Sequence, residues 1–233
     1  MSDSRSTNGE PEFDRYSAAY AELLADPMRE KFARDPLYFH RRKVEVIAEL
    51  LEAHRLNPAR MKWLDVGCGQ GDLLRLGRGL FAEAAGCDPA STMLPAGEEI
   101  PVLVQPSPEE LPFEDRSMDF VTAVCVFHHV HGRARTALAR EIKRVLAPGG
   151  CFCIIEHNPW NPVTRGIVKR CPVDVDAELL TAPESRRLMS SAGMTAVRTR
   201  YFLFLPEKLR GIAGVESWLG SVPLGGQYAM LGR

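Results

Sequence analysis

The chain has 233 residues, of which 45% are hydrophobic and 25% are charged, and its formal net charge is −1. The length suits one domain with a full hydrophobic core, and the composition is close to that of an average soluble globular protein. The near-neutral charge argues against a nucleic-acid partner, and the longest apolar run, Phe120 to Phe127, is too short to span a membrane.

The N-terminal part of the chain is predicted to be helical after a polar tail. Residues 1–12 lack the apolar core of a signal peptide and are predicted to be a disordered tail. Residues 13–56 have a helical pattern, which Asn57-Pro58 then breaks. Within KVEVIAELLEA, one helical face carries Val44, Ile47, Leu50 and Leu51.

Apolar strands alternate with helical segments through residues 61–156. The predicted strands are KWLDV, AAGCD, PVLV, DFVTAVCVF and CFCIIE, and the helices between them include DLLRLGRGLF and TALAREIKRVL. The second helix is expected to end at a Pro-Gly-Gly turn. This alternation implies βαβ units with right-handed crossovers, hence a doubly wound α/β fold with a mostly parallel sheet.

The rest of the chain, residues 157–233, interrupts this rhythm. A polar, proline-containing insertion follows the fifth strand, and a helix (PESRRLMSSAG) and two strands (TAVRTRYFLFL and QYAMLGR) close the chain. The two late strands are expected to form an antiparallel C-terminal edge, which gives a sheet of seven strands. Residues 13–233 are thus predicted to be a single domain.

The six cysteines mostly lie in apolar, strand-like runs, where a thiol behaves as a small hydrophobe. Cys151 and Cys153 alternate along one strand and do not have the CxxC spacing of zinc or redox sites. We therefore expect no disulfide, no metal site and a reducing, cytoplasmic location.

A glycine-rich loop follows the first strand, at the sheet edge where open α/β folds bind ligands. Gly67, Gly69 and Gly71 permit positive φ and close backbone approach to a ligand, although they would also suit a tight turn with no ligand. Asp88 ends the second strand, about twenty residues beyond the loop, where a carboxylate can accept both hydroxyls of a ribose. The loop and this carboxylate together predict an adenosine-containing cofactor.

The spacing of the loop distinguishes between cofactors. The run from Asp65 to Gly71 is DxGxGxG, whereas a dinucleotide-binding loop has GxGxxG and places a helix N-terminus at a pyrophosphate. S-adenosylmethionine has no phosphate but carries an ammonium and a sulfonium, which an acidic residue at the strand end complements. The pattern therefore favours S-adenosylmethionine over NAD.

Five segments together resemble the successive motifs of class I S-adenosylmethionine-dependent methyltransferases, of the bacterial type 11/25-like kind. They are WLDVGCGQGDLL, GCDPASTML, LPFEDRSMDFV, VFHHV and EIKRVLAPGG, in the order and spacing of that family, and they cover about residues 62–156. The resemblance implies a Rossmann-like fold, an N-terminal helical lid, S-adenosylmethionine as cofactor and S-adenosylhomocysteine as product.

The resemblance also implies roles for individual residues. Gly67 to Gly69 would line the methionine part of the cofactor, Asp65 would lie near its ammonium, and Asp88 would bind the ribose. Val124 would offer a backbone carbonyl. His129 would border the cofactor, a capping or core role being the alternative. The predicted cofactor-binding set is Asp65, Gly67, Cys68, Gly69, Asp88, Pro89, Met93, Ser107, Pro108, Glu109, Val124 and His129.

One segment departs from the family pattern. Where the family often has a Gly-Asp-Ala-type triplet before LPF, this chain has Pro106-Ser107-Pro108. Ser107 can accept a hydrogen bond, but Pro108 has no N–H to donate to adenine. Either Glu109 supplies that donor or adenine is held more loosely.

Two histidines are candidates for a general base, which methyl transfer needs only when the acceptor must lose a proton. His157 follows the fifth strand and His128 ends the fourth. The alternative for His157 is that it caps its strand. Candidate acceptor contacts are Asn158 and Arg165 in the insertion and Tyr16 and Tyr20 in the predicted lid, with simple packing or surface roles as the alternative.

We therefore predict methylation of a small-molecule acceptor, with oxygen slightly favoured over nitrogen or carbon as the acceptor atom. The late aromatic residues in RYFLFLPEKLRGIAGVESWLG would cover a lipid-linked acceptor or meet a second subunit, which leaves the oligomeric state open. A non-catalytic S-adenosylmethionine-binding or scaffolding protein is the alternative. Methylation of protein or RNA is disfavoured by the charge balance.

Overall fold

The computed structural model describes residues 12–95, 100–107, 109–212, 216 and 218–233. The strands in these residues are β1 (Lys62–Val66), β2 (Glu83–Asp88), β3 (Val102–Val104), β4 (Met118–Val124), β5 (Leu146–His157), β6 (Ala196–Phe202) and β7 (Gln227–Gly232). The α-helices are α1 (Tyr20–Leu23), α2 (Pro27–Phe32), α3 (Tyr38–Ala53), α4 (Asp72–Gly77), α5 (Gly132–Val145), α6 (Pro162–Arg170) and α7 (Ala182–Ser191).

The seven strands form one sheet in the order β3-β2-β1-β4-β5-β7-β6. The pairings from β3 across to β5 are parallel, and β7 runs antiparallel to both of its neighbours. The predicted doubly wound, mostly parallel sheet of seven strands is confirmed. The strand order reverses between β1 and β4, so the ligand-binding crevice of such a fold lies at the carboxyl ends of these two strands.

The C-terminal strand β7 lies one position inside the sheet, and β6 forms the outer edge. Every residue of β7 is buried, whereas the first five residues of β6 are exposed or only partly buried. A strand that is apolar on both faces is stable only with neighbours and helices around it, which accounts for the interior position of β7.

Hydrophobic clusters cover both faces of the sheet. On one face α5 and α7 pack against β4, β5 and β7. On the other face α3 places Val46, Ile47, Leu50 and Leu51 against Trp63 of β1 and its neighbours. Ile47, Leu50 and Leu51 belong to the apolar face that the sequence predicts, whereas Val44, the fourth predicted member, is only partly buried and Val46 is buried instead.

The Pro-Gly-Gly segment before the fifth strand differs from its prediction as a turn. Strand β5 already begins at Leu146 and includes Gly149, whose φ is +82°. The pairing register with β4 shifts between Met118 and Phe120. The glycine allows an irregular strand here, because its left-handed backbone is one that other residues rarely adopt.

The N-terminal helices lie over the carboxyl edge of the sheet. Asp26 caps α2 by accepting N–H bonds from Met28 and Arg29, and its second carboxylate oxygen accepts two bonds from Arg170 of α6, at 3.0 and 2.8 Å. Asp14 accepts bonds from Thr92 at 2.9 and 2.6 Å. These contacts hold the segment in place. The predicted tail falls almost wholly outside the described residues, and within them no helix is both long and apolar enough for a membrane span.

Candidate functional site

A cavity of about 1780 Å³ opens at the carboxyl ends of β1, β2, β4 and β5, beneath the N-terminal helices. Sites for one small molecule usually measure about 300–1,000 Å³. The cavity therefore has room for two ligands of ordinary size side by side. One end is lined by the glycine loop, and the other by histidines that follow β4 and β5.

The glycine loop presents backbone to the cavity. Gly67 has a φ of +70° and Gly69 a φ of +49°. The N–H groups of Gly67 and Cys68 both bond to the carbonyl of Cys87, at 2.8 and 3.0 Å. A Cβ atom on Gly67 would lie 2.4 Å from a methyl of Val126. The turn thus requires glycine both for its left-handed backbone and for lack of space.

Asp88 holds this loop against the end of β2. One of its carboxylate oxygens accepts the N–H of Gly69 and the other that of Ala90, both at 2.9 Å. Burial raises the pKa of Asp88 above its ordinary value, and the two N–H groups oppose the shift. Because a carboxylate oxygen can accept more than one bond, a fixed Asp88 can still receive the two hydroxyls of a ribose.

Asp65, at the end of β1, is a buried carboxylate with a defined orientation. The indole N–H of Trp63 donates to the Thr122 hydroxyl at 2.8 Å, and that hydroxyl donates to Asp65 at 2.5 Å. Burial raises the pKa of Asp65 to about 7, against the opposing effects of Thr122 and Lys43. A cationic ligand group beside it would therefore stabilise its ionised form.

Lys43 is a site residue that the sequence analysis missed. It lies on α3, is only 7% exposed, and lines the cavity, with its ammonium 3.9 Å from the Cys125 sulfur. His40, one turn earlier, also lines the cavity and has a buried Nδ1 without a hydrogen-bond partner. No motif marks Lys43 in the sequence, because a lysine beside the apolar face of a helix commonly extends its ammonium into solvent.

Most of the predicted cofactor residues line the cavity, and one predicted contact does not. The lining includes Asp65, Gly67, Cys68, Gly69, Asp88, Pro89, Met93, Ser107, Val124 and His129. Glu109 is exposed, and its N–H donates to the Ser107 hydroxyl at 3.2 Å. This N–H is used within the loop, which favours the second of the two alternatives, that adenine is held more loosely. Pro108 lies outside the described residues.

His128 is fixed in a buried network with two carboxylates. Its Nδ1 lies 2.5 Å from a Glu156 oxygen, and the other Glu156 oxygen accepts the N–H of Phe127 at 2.8 Å. Burial lowers the pKa of His128, but Glu156 and Asp174 outweigh this effect and raise it to about 10. This shift favours the protonated form of His128, which argues against a general-base role, and the role of His128 in catalysis stays a prediction.

His129 and Asp174 complete this network at the cavity wall. His129 Nε2 and His128 Nε2 lie 3.4 and 3.7 Å from the same oxygen of Asp174. Burial would raise the pKa of Asp174, but hydrogen bonds from the two histidines hold it well below its usual range. The ring of Phe13 packs edge-on against His129, with 4.8 Å between ring centres. Asp174 belongs to the polar insertion, but its proximity to the histidine pair was not predicted.

His157 lies half-buried in the cavity wall, near the Cys125 thiol. Its Nδ1 is 3.3 Å from the Gln227 amide nitrogen, and its ring centre is 5.3 Å from that of His128. Cys125 follows β4 with a φ of +58°. Burial would raise the pKa of the Cys125 thiol, but Lys43 and His157 lower it to about 7. His157 has the access to the cavity that a general base requires.

The predicted acceptor residues differ in whether they line the cavity. Tyr20 lines the cavity, whereas Tyr16 packs edge-on against Phe13 outside the lining. Asn158 is 1% exposed and donates to the carbonyls of Pro223 and Gly225, so its amide holds a loop. Arg165 is exposed and outside the cavity lining. Of the four predicted acceptor residues, only Tyr20 thus lies in the cavity lining, and the acceptor contacts stay a prediction.

The central part of this chain is similar in sequence to known proteins. A protein-family model described as a methyltransferase domain matches residues 64–154. A demethylmenaquinone methyltransferase of Staphylococcus aureus is 37% identical over 115 residues, which are 45% of this chain and 47% of the relative. The alignment thus spans about half the length of each protein.

Solved structures share the fold over nearly the whole chain. A SAM-dependent methyltransferase of Thermotoga maritima superposes with a TM-score of 0.68 at 19% identity, covering 94% of this chain and 97% of that one. Another from Aquifex aeolicus gives 0.60 at 16% identity, covering 91% and 96%. The similarity therefore extends beyond the matched central segment to the N-terminal helices and closing strands.

Proposed function

We propose that this chain, whose residues 64–154 match a methyltransferase-domain family model, is a class I S-adenosylmethionine-dependent methyltransferase that transfers a methyl group from S-adenosylmethionine to a small-molecule acceptor. The observation that carries the proposal is the cavity shared by two sets of residues. The glycine loop, Asp65 and Asp88 lie at one end, and His128, His129 and His157 at the other.

The residues of the first end fit the cofactor. Asp65 is a buried carboxylate that a ligand ammonium would stabilise, and the bare backbone of Gly67 to Gly69 permits close approach. Lys43 and His40 offer a buried cation and an unpartnered ring nitrogen for a ligand carboxylate. Met93, 4% exposed and lining the cavity, offers an apolar surface for adenine.

The chemistry then divides between cofactor and protein. When bound, S-adenosylmethionine supplies a methyl group on a sulfonium, whose carbon–sulfur electron pair returns to sulfur as the acceptor atom bonds to the carbon. The protein aligns the acceptor and excludes water, and these two effects account for much of the catalysis of such a displacement. For a hydroxyl acceptor, His157 accepts the proton that leaves the oxygen.

The cavity walls favour a largely apolar acceptor that carries an oxygen. Aromatic and aliphatic side chains from the N-terminal helices and from the loops after β5 and β6 enclose it, including Phe13, Tyr20, Leu24, Phe32, Ile167 and Phe204. The S. aureus relatives are named for demethylmenaquinone, a lipid-like acceptor. We propose O-methylation over N- or C-methylation, and the support for it is that His157, a histidine able to accept a hydroxyl proton, lines the cavity.

The alternative is a protein that binds S-adenosylmethionine without transferring its methyl group. The Pro106-Ser107-Pro108 segment supports it, since the Glu109 N–H that could replace the lost donor is used by Ser107. The cavity volume of about 1780 Å³, which leaves room for an acceptor beside the cofactor, favours the enzyme.

Calorimetry with S-adenosylhomocysteine, S-adenosylmethionine and NAD tests the cofactor. We expect the two sulfur ligands to bind and NAD not to bind, and the reverse result would refute the proposal. A second assay follows transfer of labelled methyl groups to phenols and hydroquinones with alkyl chains of increasing length. His157→Gln should lower kcat at unchanged cofactor affinity. Ligand binding without transfer to any oxygen, nitrogen or carbon acceptor would favour the non-catalytic alternative.

A further inference from the structure

Three side chains at the acceptor end of the cavity have the composition of a metal site. His128, His129 and Asp174 each direct one ligand atom into a common space, and these atoms all lie within 4.8 Å of one another. Two imidazoles and one carboxylate on a site with open positions are typical of zinc and other first-row transition metals. The sequence analysis expected no metal, because it considered only the cysteine spacing.

The separations are close to those that a metal requires. Two ligands of a tetrahedral ion with bonds of about 2.1 Å lie about 3.4 Å apart. Asp174 Oδ1 is 3.4 Å from His129 Nε2 and 3.7 Å from His128 Nε2. The third separation, between the ligand atoms of the two histidines, is within 4.8 Å, so the side chains must close up by as much as about 1.4 Å for all three atoms to reach one ion.

The surroundings of His128 orient it as a ligand. Glu156 is completely buried and lies 2.5 Å from Nδ1, which leaves Nε2 facing Asp174. A carboxylate behind a ligating histidine sets its tautomer and increases its basicity, and such pairs accompany most metal-bound histidines. Glu156 is itself held by the Phe127 N–H at 2.8 Å.

We infer that His128, His129 and Asp174 bind one divalent transition-metal ion, with Glu156 as the carboxylate that positions His128. All three ligands line the cavity, so the free coordination position faces the acceptor space. This inference deepens the proposed function, on which its consequence rests: an oxygen of the acceptor takes the free position. A metal-bound hydroxyl has a lowered pKa, and His157 nearby accepts its proton.

Metal binding is tested on the full chain with zinc and cobalt salts alone. After treatment with a chelator, we expect the protein to bind one equivalent of Zn²⁺ by calorimetry. His129→Asn and Asp174→Asn should each weaken the Kd at least tenfold. The matched control is His131→Asn, because His131 faces Glu178 at 3.4 Å on the surface, outside the cavity lining, and this variant should bind zinc normally. The cobalt protein should lack the thiolate absorption that a cysteine site gives.

Two measurements keep the test decisive. Circular dichroism shows whether a variant folds, and X-ray absorption of the zinc-loaded wild type counts its imidazole ligands if a variant does not. No zinc binding, or binding that survives in both variants, would show that the cluster holds only a proton between its carboxylates and would overturn the inference. If the protein binds S-adenosylhomocysteine but does not bind zinc, the metal inference fails and the proposed function stands. If it binds zinc but does not bind S-adenosylhomocysteine, the proposed function fails and metal binding stands.

Discussion

The buried carboxylates of Asp88 and Asp65, at the ends of the neighbouring strands β2 and β1, differ in the groups that donate hydrogen bonds to them. Asp88 is bonded by two backbone N–H groups and is part of the loop it supports. Asp65 accepts a single hydroxyl, and the buried Lys43 near it is a residue that neither motif nor spacing identifies. A carboxylate with fewer internal partners gains more from a cationic ligand, so these two residues should respond differently to mutation and pH.

Replacing Asp88 by alanine should weaken S-adenosylhomocysteine binding by about 1–3 kcal/mol, because hydrogen bonds to a charged group are lost. Calorimetry measures this change. Glu83→Ala is the matched control, since Glu83 lies at the start of the same strand with an exposed side chain paired to Lys62. Equal affinity of both variants and the wild type would remove Asp88 from the cofactor site.

Cofactor affinity should rise with pH as Asp65 ionises around pH 7. The pKa of Asp65 is about 7 in the folded protein against an ordinary value of 3.8. In the free protein, the free energy of unfolding therefore falls as the pH rises between these two values. A bound ammonium stabilises the ionised form of Asp65 and so offsets this loss of stability. Calorimetry with S-adenosylhomocysteine between about pH 5 and 6.5, where an α-amino group with a pKa of about 7.7–8.0 stays protonated, should show affinity increasing with pH. In Asp65→Asn the affinity should be lower and independent of pH, and a slope that persists in this variant would contradict the assignment.

The strand–loop–helix element after β1 combines conformational and steric demands at one position. Gly67 needs a left-handed backbone and has Val126 directly beside it. The sequence pattern identifies a glycine at position 67. Only the structure shows that Val126, in the loop after β4, requires this residue to be small.

Gly67→Ala should destabilise the protein by about 1–2 kcal/mol through its left-handed backbone alone, and by more because Val126 must move. Gly79→Ala is the control, since a Cβ there meets nothing within 4 Å. That change should leave the free energy of unfolding within about 1 kcal/mol of wild type or raise it. Urea unfolding compares the two variants, and equal effects would show that Gly67 is not sterically required.

At the scale of the whole molecule, a buried ion pair connects the N-terminal helices to the C-terminal region. Arg42 of α3 contacts Glu216 at 3.1 Å, and their side chains are only 10% and 8% exposed. Glu216 also accepts the N–H groups of Phe204 and Leu205, at 2.8 and 3.3 Å. Residues that are 174 positions apart thus share one desolvated contact.

Arg42→Ala should lower the free energy of unfolding by about 3–5 kcal/mol, because it leaves a buried carboxylate without its cation. The neighbouring Arg41 pairs with Asp35 in a more exposed position, with side chains 37% and 31% exposed. Arg41→Ala should therefore cost less than about 1 kcal/mol. Urea unfolding measures both, and a similar small loss in both variants would show that the Arg42 contact does not tie the two regions together.

The local features of this chain could be predicted because they depend on neighbouring residues. The strands β1 and β2, the glycine loop and the carboxylate Asp88 follow from apolar runs and motif spacing, as does the parallel sheet. The interior position of β7, the buried Lys43 and the proximity of Asp174 to His128 and His129 could not be predicted. They depend on contacts between segments far apart in the chain, which form only when hydrophobic burial brings those segments together, and which leave no periodicity in the sequence.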